Sequence, residues 1–307
     1  MFKLLSKESN IFSIPVYLVF LLLITILFNI FNFNTIEAVS EGITFIGIAL
    51  GYFLFNKINL NQQIHLPLFL YTFIVFALYP GSLDIGLSVA LLSNSFLLLI
   101  LTNTDDHVRK NSFVLVGALV AINYFFLPTT WPLLFFVMIH IIATSPQIAL
   151  NMFRLFLGIF LISISYLLIA YSIGFQTFDP VYFPFYTFKI PASFYPFTLL
   201  SPVIILLILA VISHFMHLNE KSLINKYKYT FLLTFSVAQL ITIILYMNQQ
   251  YEYLLLLALP VSIILGRYLR YFPQYWMREL GVWIIILTFI IFKIGTYFNL
   301  KQLIFLN

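Results

Sequence analysis

Cysteine is absent from all 307 residues of this chain. That excludes disulfides, thiolate nucleophiles, iron–sulfur clusters and cysteine–zinc sites together. Charge is nearly as scarce. Only 8% of residues are Asp, Glu, Lys or Arg, against about 25% in soluble domains. No polar stretch is long enough to build a soluble domain or a nucleotide-binding fold, and there is no Gly-rich phosphate loop. No repeat of fixed period, linker or low-complexity tract is present either. The net charge is +5, but the basic residues are scattered singly. No basic stripe tracks phosphates, so nucleic acid is not expected as a partner.

What the chain has in excess is apolar surface, at 62% of residues. A soluble fold could not bury it, so lipid must be the solvent for most of it. The first apolar run, Ile11 to Asn32, is too long for a signal peptide and reads as a retained anchor. Further runs lie at about 43–56, 66–80, 86–102, 112–127, 131–145, 155–174, 199–216, 229–247, 252–268 and 281–298. The expectation is one all-α, polytopic integral membrane helix bundle of about eleven transmembrane helices.

Charge placement gives the sidedness. With the N-terminus inside and strict alternation, Lys3, Lys7, Lys57, Arg109, Lys110, Arg154, Lys221, Lys226, Lys228, Arg267, Arg270 and Arg278 fall inside. Only Lys189, Lys293 and Lys301 do not. Twelve against three is the bias expected of a cytoplasmic membrane, with the C-terminus outside. Acids carry little orientation signal. They divide evenly, with Glu37, Glu41, Asp84, Asp179 and Glu252 on the outer side.

One long stretch is neither a span nor a polar loop. Between Phe175 and Phe197 it holds ten aromatic residues, four prolines, Asp179 and Lys189. Prolines at 180, 184, 191 and 196 forbid a continuous helix. Tyr and Phe suit the membrane–water boundary, so the stretch reads as an ordered external loop at about 175–198. The NYFFLPTTWP segment reads as a tight external turn with Trp131 as an interfacial anchor, and the RYLRYFPQYWMRE segment at 267–279 as a basic aromatic hairpin against an anionic inner leaflet.

Several polar residues stand out. Glu37 and Glu41, at the end of the first helix, share a face if that helix continues. The outer acids are either solvated loop residues or a set that positions a general base or a divalent ion. His214, His217 and Glu220 have spacings of three, which resembles metal-ligand spacing and equally suits a helix end. His140, Asn94, Asn123 and Gln239 lie in apolar runs and read as interhelical glue. Lys293 lies in the last span; its stem either snorkels outward or its ammonium meets a phosphate or a buried acid.

The YEYLLLLALPVSIILG segment at 251–266 resembles a late helix of membrane glycosyltransferases that use polyprenyl-phosphate sugars. That resemblance implies a catalytic acid on the first external loop, where Glu37 and Glu41 stand. The segments LSNSFLLLILTN at 92–103, NYFFLPTTWPLLFF at 123–136 and LALPVSIILGRYLRYFPQYWMRE at 257–279 resemble an uncharacterised family of polytopic inner-membrane proteins of Bacteroidota. Two functions are expected. One is an envelope-biogenesis protein handling a polyprenyl-linked glycan or lipid at the outer leaflet. Glu37 or Glu41 would then be catalytic, and Asp84, Asp179, Lys189, Glu252 and Lys293 would bind substrate. The other is a non-catalytic membrane subunit or scaffold docking an envelope protein partner through the aromatic loop. A transporter is a weaker third, since paired broken helices in similar halves are not visible.

Overall fold

A computed structural model describes residues 13–29, 35–57, 65–81, 83–103, 112–174, 182–186, 188, 195–217 and 223–297. Its elements are α1 (Ser13–Asn29), α2 (Thr35–Lys57), α3 (His65–Leu78), α4 (Ile85–Leu101), α5 (Phe113–Phe126), α6 (Pro132–Thr144), α7 (Ile148–Ile173), the short α8 (Tyr195–Leu199), α9 (Ser201–Met216), α10 (Leu223–Tyr246), α11 (Ala258–Tyr271) and α12 (Tyr275–Tyr297). Short 3-10 segments lie at Pro128–Thr130, Pro184–Tyr186 and Tyr251–Leu257. No strand occurs among the described residues. Five segments are long and apolar enough to cross a membrane: Glu37–Phe55, Ile148–Ile173, Lys226–Tyr246, Tyr251–Tyr271 and Tyr275–Thr296. Six more apolar helices are shorter, namely Ile14–Ile24, His65–Leu78, Ile85–Leu101, Phe113–Phe126, Pro128–Thr144 and Ser201–Met216. The chain is an all-helical, multi-pass membrane protein.

Turn chemistry sets several boundaries. Pro132 and Pro202 open α6 and α9, where a missing N–H costs nothing. Gly174, at φ 72°, closes α7 in the left-handed conformation. Pro260 is the third residue of α11, so its missing N–H falls in the first α-helical turn and the preceding residues wind as 3-10 helix instead. The 251–271 segment is the centre of the bundle. Its span is 78% buried, against 11% for α7. The α7 span therefore presents most of its surface, including Phe153, Phe160 and Leu168, to lipid.

Small residues decide which helices touch. Apolar attraction between helices is weak in lipid, so close backbone approach and interhelical hydrogen bonds carry more of the packing. Gly117 of α5 meets the Leu155 carbonyl of α7, and Gly158 of α7 meets the Val114 carbonyl of α5; a Cβ at either glycine would collide with backbone. The α2–α4 pair is similar. Gly47 lies against the Leu92 backbone and accepts a 2.8 Å hydrogen bond at its carbonyl from Ser95. Nearer the start of α2, the Ser40 hydroxyl donates to Leu83 O at 2.6 Å, and Thr44 donates to Ser88 at 2.8 Å.

The contacts sort the helix ends into two groups. At one end, Gly86 of α4 lies against Phe126 of α5, Trp131 reaches Tyr246, and Lys293 reaches Tyr79. At the other, Tyr17 stacks on Tyr52, His140 bonds Tyr227, Gly266 lies against Pro67 and Gly281 against Leu269. Arg154, Lys226, Lys228, Arg267, Arg270 and Arg278 belong to the second end, which we term the basic end.

Two expectations need correction. Glu37 and Glu41 do not extend the first helix: α2 begins at Thr35 and carries Glu37 in its first turn, where an acid is favoured by the exposed N–H groups. The 267–279 segment is mostly helix rather than hairpin, since α11 runs to Tyr271 and α12 starts at Tyr275. Arg278 Nε donates to Phe272 O at 2.7 Å and ties the short turn that remains.

Gly158→Leu should force α5 and α7 apart and cost about 1–3 kcal/mol of overpacking strain. A lower melting temperature in mild detergent is the expected readout. Gly42→Ala, which meets nothing within 4 Å, should leave it unchanged.

Candidate functional site

The end opposite the basic residues carries four of the five acids among the described residues; the fifth, Glu279, lies at the basic end. The Ser40–Leu83 and Ser40–Ser88 bonds hold the start of α2 beside the start of α4. Glu37 and Glu41 are half-buried on that first stretch of α2, close to Ser40 in sequence. Asp84 is exposed immediately before α4. Glu252 is half-buried in the first turn of the 3-10 segment. Its neighbour Tyr253 is buried. Thr129 lies 3.5 Å from the Tyr253 hydroxyl and joins the Trp131 turn to the 3-10 segment. Four acids from three segments thus stand at one end.

At the same end lies the aromatic loop, of which residues 182–186 and 188 are described. It is anchored from several helices. Tyr124 of α5 donates to the Tyr182 carbonyl, and the Tyr166 hydroxyl of α7 bonds the Tyr182 hydroxyl. Trp131 Nε1 donates to the Tyr246 hydroxyl of α10 at 2.8 Å, and Tyr246 donates to Pro184 O at 3.3 Å. Phe185 sits 5.3 Å from Trp131, and Phe188 5.9 Å from Tyr246, between ring centroids. Pro184 is buried, whereas Phe183, Phe185 and Phe188 are about half exposed, at 54%, 42% and 51%. The described residues of the loop are therefore anchored at Tyr182 and Pro184 and present apolar rings outward.

Lys293 is half-buried and donates to Tyr79 O at 2.6 Å. That carbonyl lies just past the end of α3, where the helix dipole favours a cation. Asp179 and Lys189 lie outside the described residues. Among the described residues, no group of three His, Asp or Glu side chains is close enough to hold a metal ion. Glu220 too lies outside them. His214 is buried and stacks on Tyr229 with ring centroids 4.0 Å apart, while His217 is exposed with Nδ1 3.0 Å from Ser213 O. Asn123 of α5 donates to Asn94 of α4 at 3.1 Å, and His140 meets the Tyr227 hydroxyl at 2.7 Å. Both pairs are interhelical glue. Gln239 is buried with neither amide atom hydrogen-bonded.

The loop-anchoring tyrosine hydroxyls are not foreseen from sequence. Tyr124, Tyr166 and Tyr246 lie toward helix ends, where an amphipathic ring is already expected at an interface. Nothing in their spacing distinguishes an anchor of the loop from an ordinary interfacial residue. Tyr246→Phe should remove two of the anchoring bonds, each worth about 1 kcal/mol. A protease added to the purified protein should then cut the aromatic loop several-fold faster. Tyr227→Phe, at the basic end, should not change that rate.

None of the curated proteins and none of the solved structures matches the chain. A family of unknown function, DUF6427, matches residues 1–298, and the chain belongs to that family.

Proposed function

We propose that the protein is an eleven-span protein of the cytoplasmic membrane, with its N-terminus inside, that serves cell-envelope biogenesis. In this reading its acid-bearing end faces outward and handles a polyprenyl-linked glycan or lipid. The supporting observation is the pairing of a carboxylate group with a fixed aromatic cap at the same end. Glu37, Glu41, Asp84 and Glu252 lie at the same end of the bundle as a loop that exposes Phe183, Phe185 and Phe188. An amphiphile with a sugar head and a prenyl tail needs both surfaces together. Carboxylates bond sugar hydroxyls and aromatic faces cover apolar chain.

The chemistry this allows is glycosyltransferase-like. Glu37 or Glu41 removes a proton from an acceptor hydroxyl as general base. Asp84 and Glu252 then hold sugar hydroxyls. The assignment of Asp179, Lys189 and Lys293 to substrate, made from sequence, completes the proposal, with a lysine meeting the phosphate.

The alternative is a non-catalytic subunit of an envelope complex. It is favoured by the same exposed rings, which stand on an ordered base as a docking surface would. One experiment separates the two. In a strain lacking the gene, Glu37→Gln combined with Glu41→Gln should fail to restore the envelope phenotype although the protein reaches the membrane. Wild-type protein purified in mild detergent should carry a polyprenyl-phosphate-linked species. Full complementation by the double variant, with an envelope protein co-purifying instead of lipid, would leave only the scaffold.

A further inference from the structure

The basic end holds a second group of polar side chains, which the outer-end chemistry does not use. A small cleft opens between α9, α10 and α11, lined among others by Ser213, His214, His217, Tyr229, Arg267 and Tyr271. Its centre is Arg267. The guanidinium carbon lies 4.7 Å over the Tyr229 ring, on which His214 also stacks, and 5.8 Å from the Tyr271 ring. Nη2 donates to the Tyr271 hydroxyl at 3.3 Å. Nη1 is buried and makes no hydrogen bond. No carboxylate lines the cleft among the described residues.

A guanidinium is normally buried only with acceptors for its fork of donors. Here one terminal nitrogen is held by a tyrosine, the plane rests against aromatic rings, and the other terminal nitrogen is aimed at no protein acceptor. The group is preorganised, and no acid among the described residues of the cleft neutralises its charge. An oxyanion is the ligand that completes such an arrangement, and phosphate oxygens fit the planar fork. The Ser213 hydroxyl and the His217 ring add donors at the rim.

We propose that this cleft binds a phosphate group, with Arg267 as its principal ligand. The phosphate comes either from an anionic lipid headgroup or from a soluble phosphate compound. The site is independent of the outer-end chemistry and stands or falls without it.

The test uses the full chain purified in a non-ionic detergent. Thermal stability is followed while dihexanoyl phosphatidic acid or inorganic phosphate is titrated. Wild-type protein should be stabilised in a saturable way by at least one probe. Stabilisation by phosphatidic acid alone identifies a lipid source, and equal stabilisation by inorganic phosphate identifies a soluble one. Arg267→Gln should weaken the apparent affinity at least tenfold, and Tyr271→Phe, which frees the fork without removing charge, should weaken it less. Lys226→Gln, which removes a charge at the same end outside the cleft, should leave it unchanged. No stabilisation of the wild type by either probe, or equal weakening by Lys226→Gln and Arg267→Gln, would overturn the proposal.

Discussion

Hydrocarbon offers no hydrogen bonds, and this structure is organised around that fact. Every backbone N–H and C=O facing lipid at membrane depth must find its partner within its own helix. Side-chain polarity is then pushed to two places. One is the seams between helices, where Ser40, Thr44, Ser88 and Ser95 bond carbonyls or each other across the α2–α4 pair. The other is the helix ends. The confinement of most charge to the two ends follows from the same restriction, since few ions are tolerated between them. Lys293 fits the rule by ending on the Tyr79 carbonyl beyond α3.

The two ends use tyrosine differently. At the acid-bearing end, hydroxyls are the structural element: Tyr124, Tyr166 and Tyr246 hold the described residues of the aromatic loop. At the basic end the ring faces matter more, with Tyr229 serving both His214 and Arg267. Phenol suits both roles at a boundary, because one edge hydrogen-bonds while the face stays apolar.

The order of the helices is largely legible in the amino-acid sequence, for a physical reason. Apolar runs report where chain meets lipid, and each of the eleven runs corresponds to one apolar helix among the described residues. Hydropathy does not report where a helix stops. The second, seventh and tenth helices begin at Thr35, Ile148 and Leu223, ahead of the apolar runs near 43, 155 and 229. Hydrogen-bonded turns continue into the interface after the apolar character ends. Pairing is not legible either. Gly117 and Gly158 look like any other helix glycines until their backbones are seen to meet. Of the site, Glu37, Glu41, Asp84 and Glu252 can be grouped by alternation alone. The Thr129–Tyr253 contact cannot, because it depends on how the Trp131 turn meets the 3-10 segment. His214 and Arg267 are 53 positions apart in sequence, and only the packing of α9 against α11 through Tyr229 brings them into one cleft.

The central claim is that the two ends of the bundle lie on opposite sides of a membrane. The absence of cysteine makes this directly measurable, since a single introduced thiol has no background. Gln249→Cys and Gln274→Cys place thiols at exposed positions, one at each end. With a membrane-impermeant maleimide on intact spheroplasts, the account predicts labelling at 249 and none at 274 until the membrane is permeabilised. Equal labelling of both positions in intact spheroplasts would contradict it.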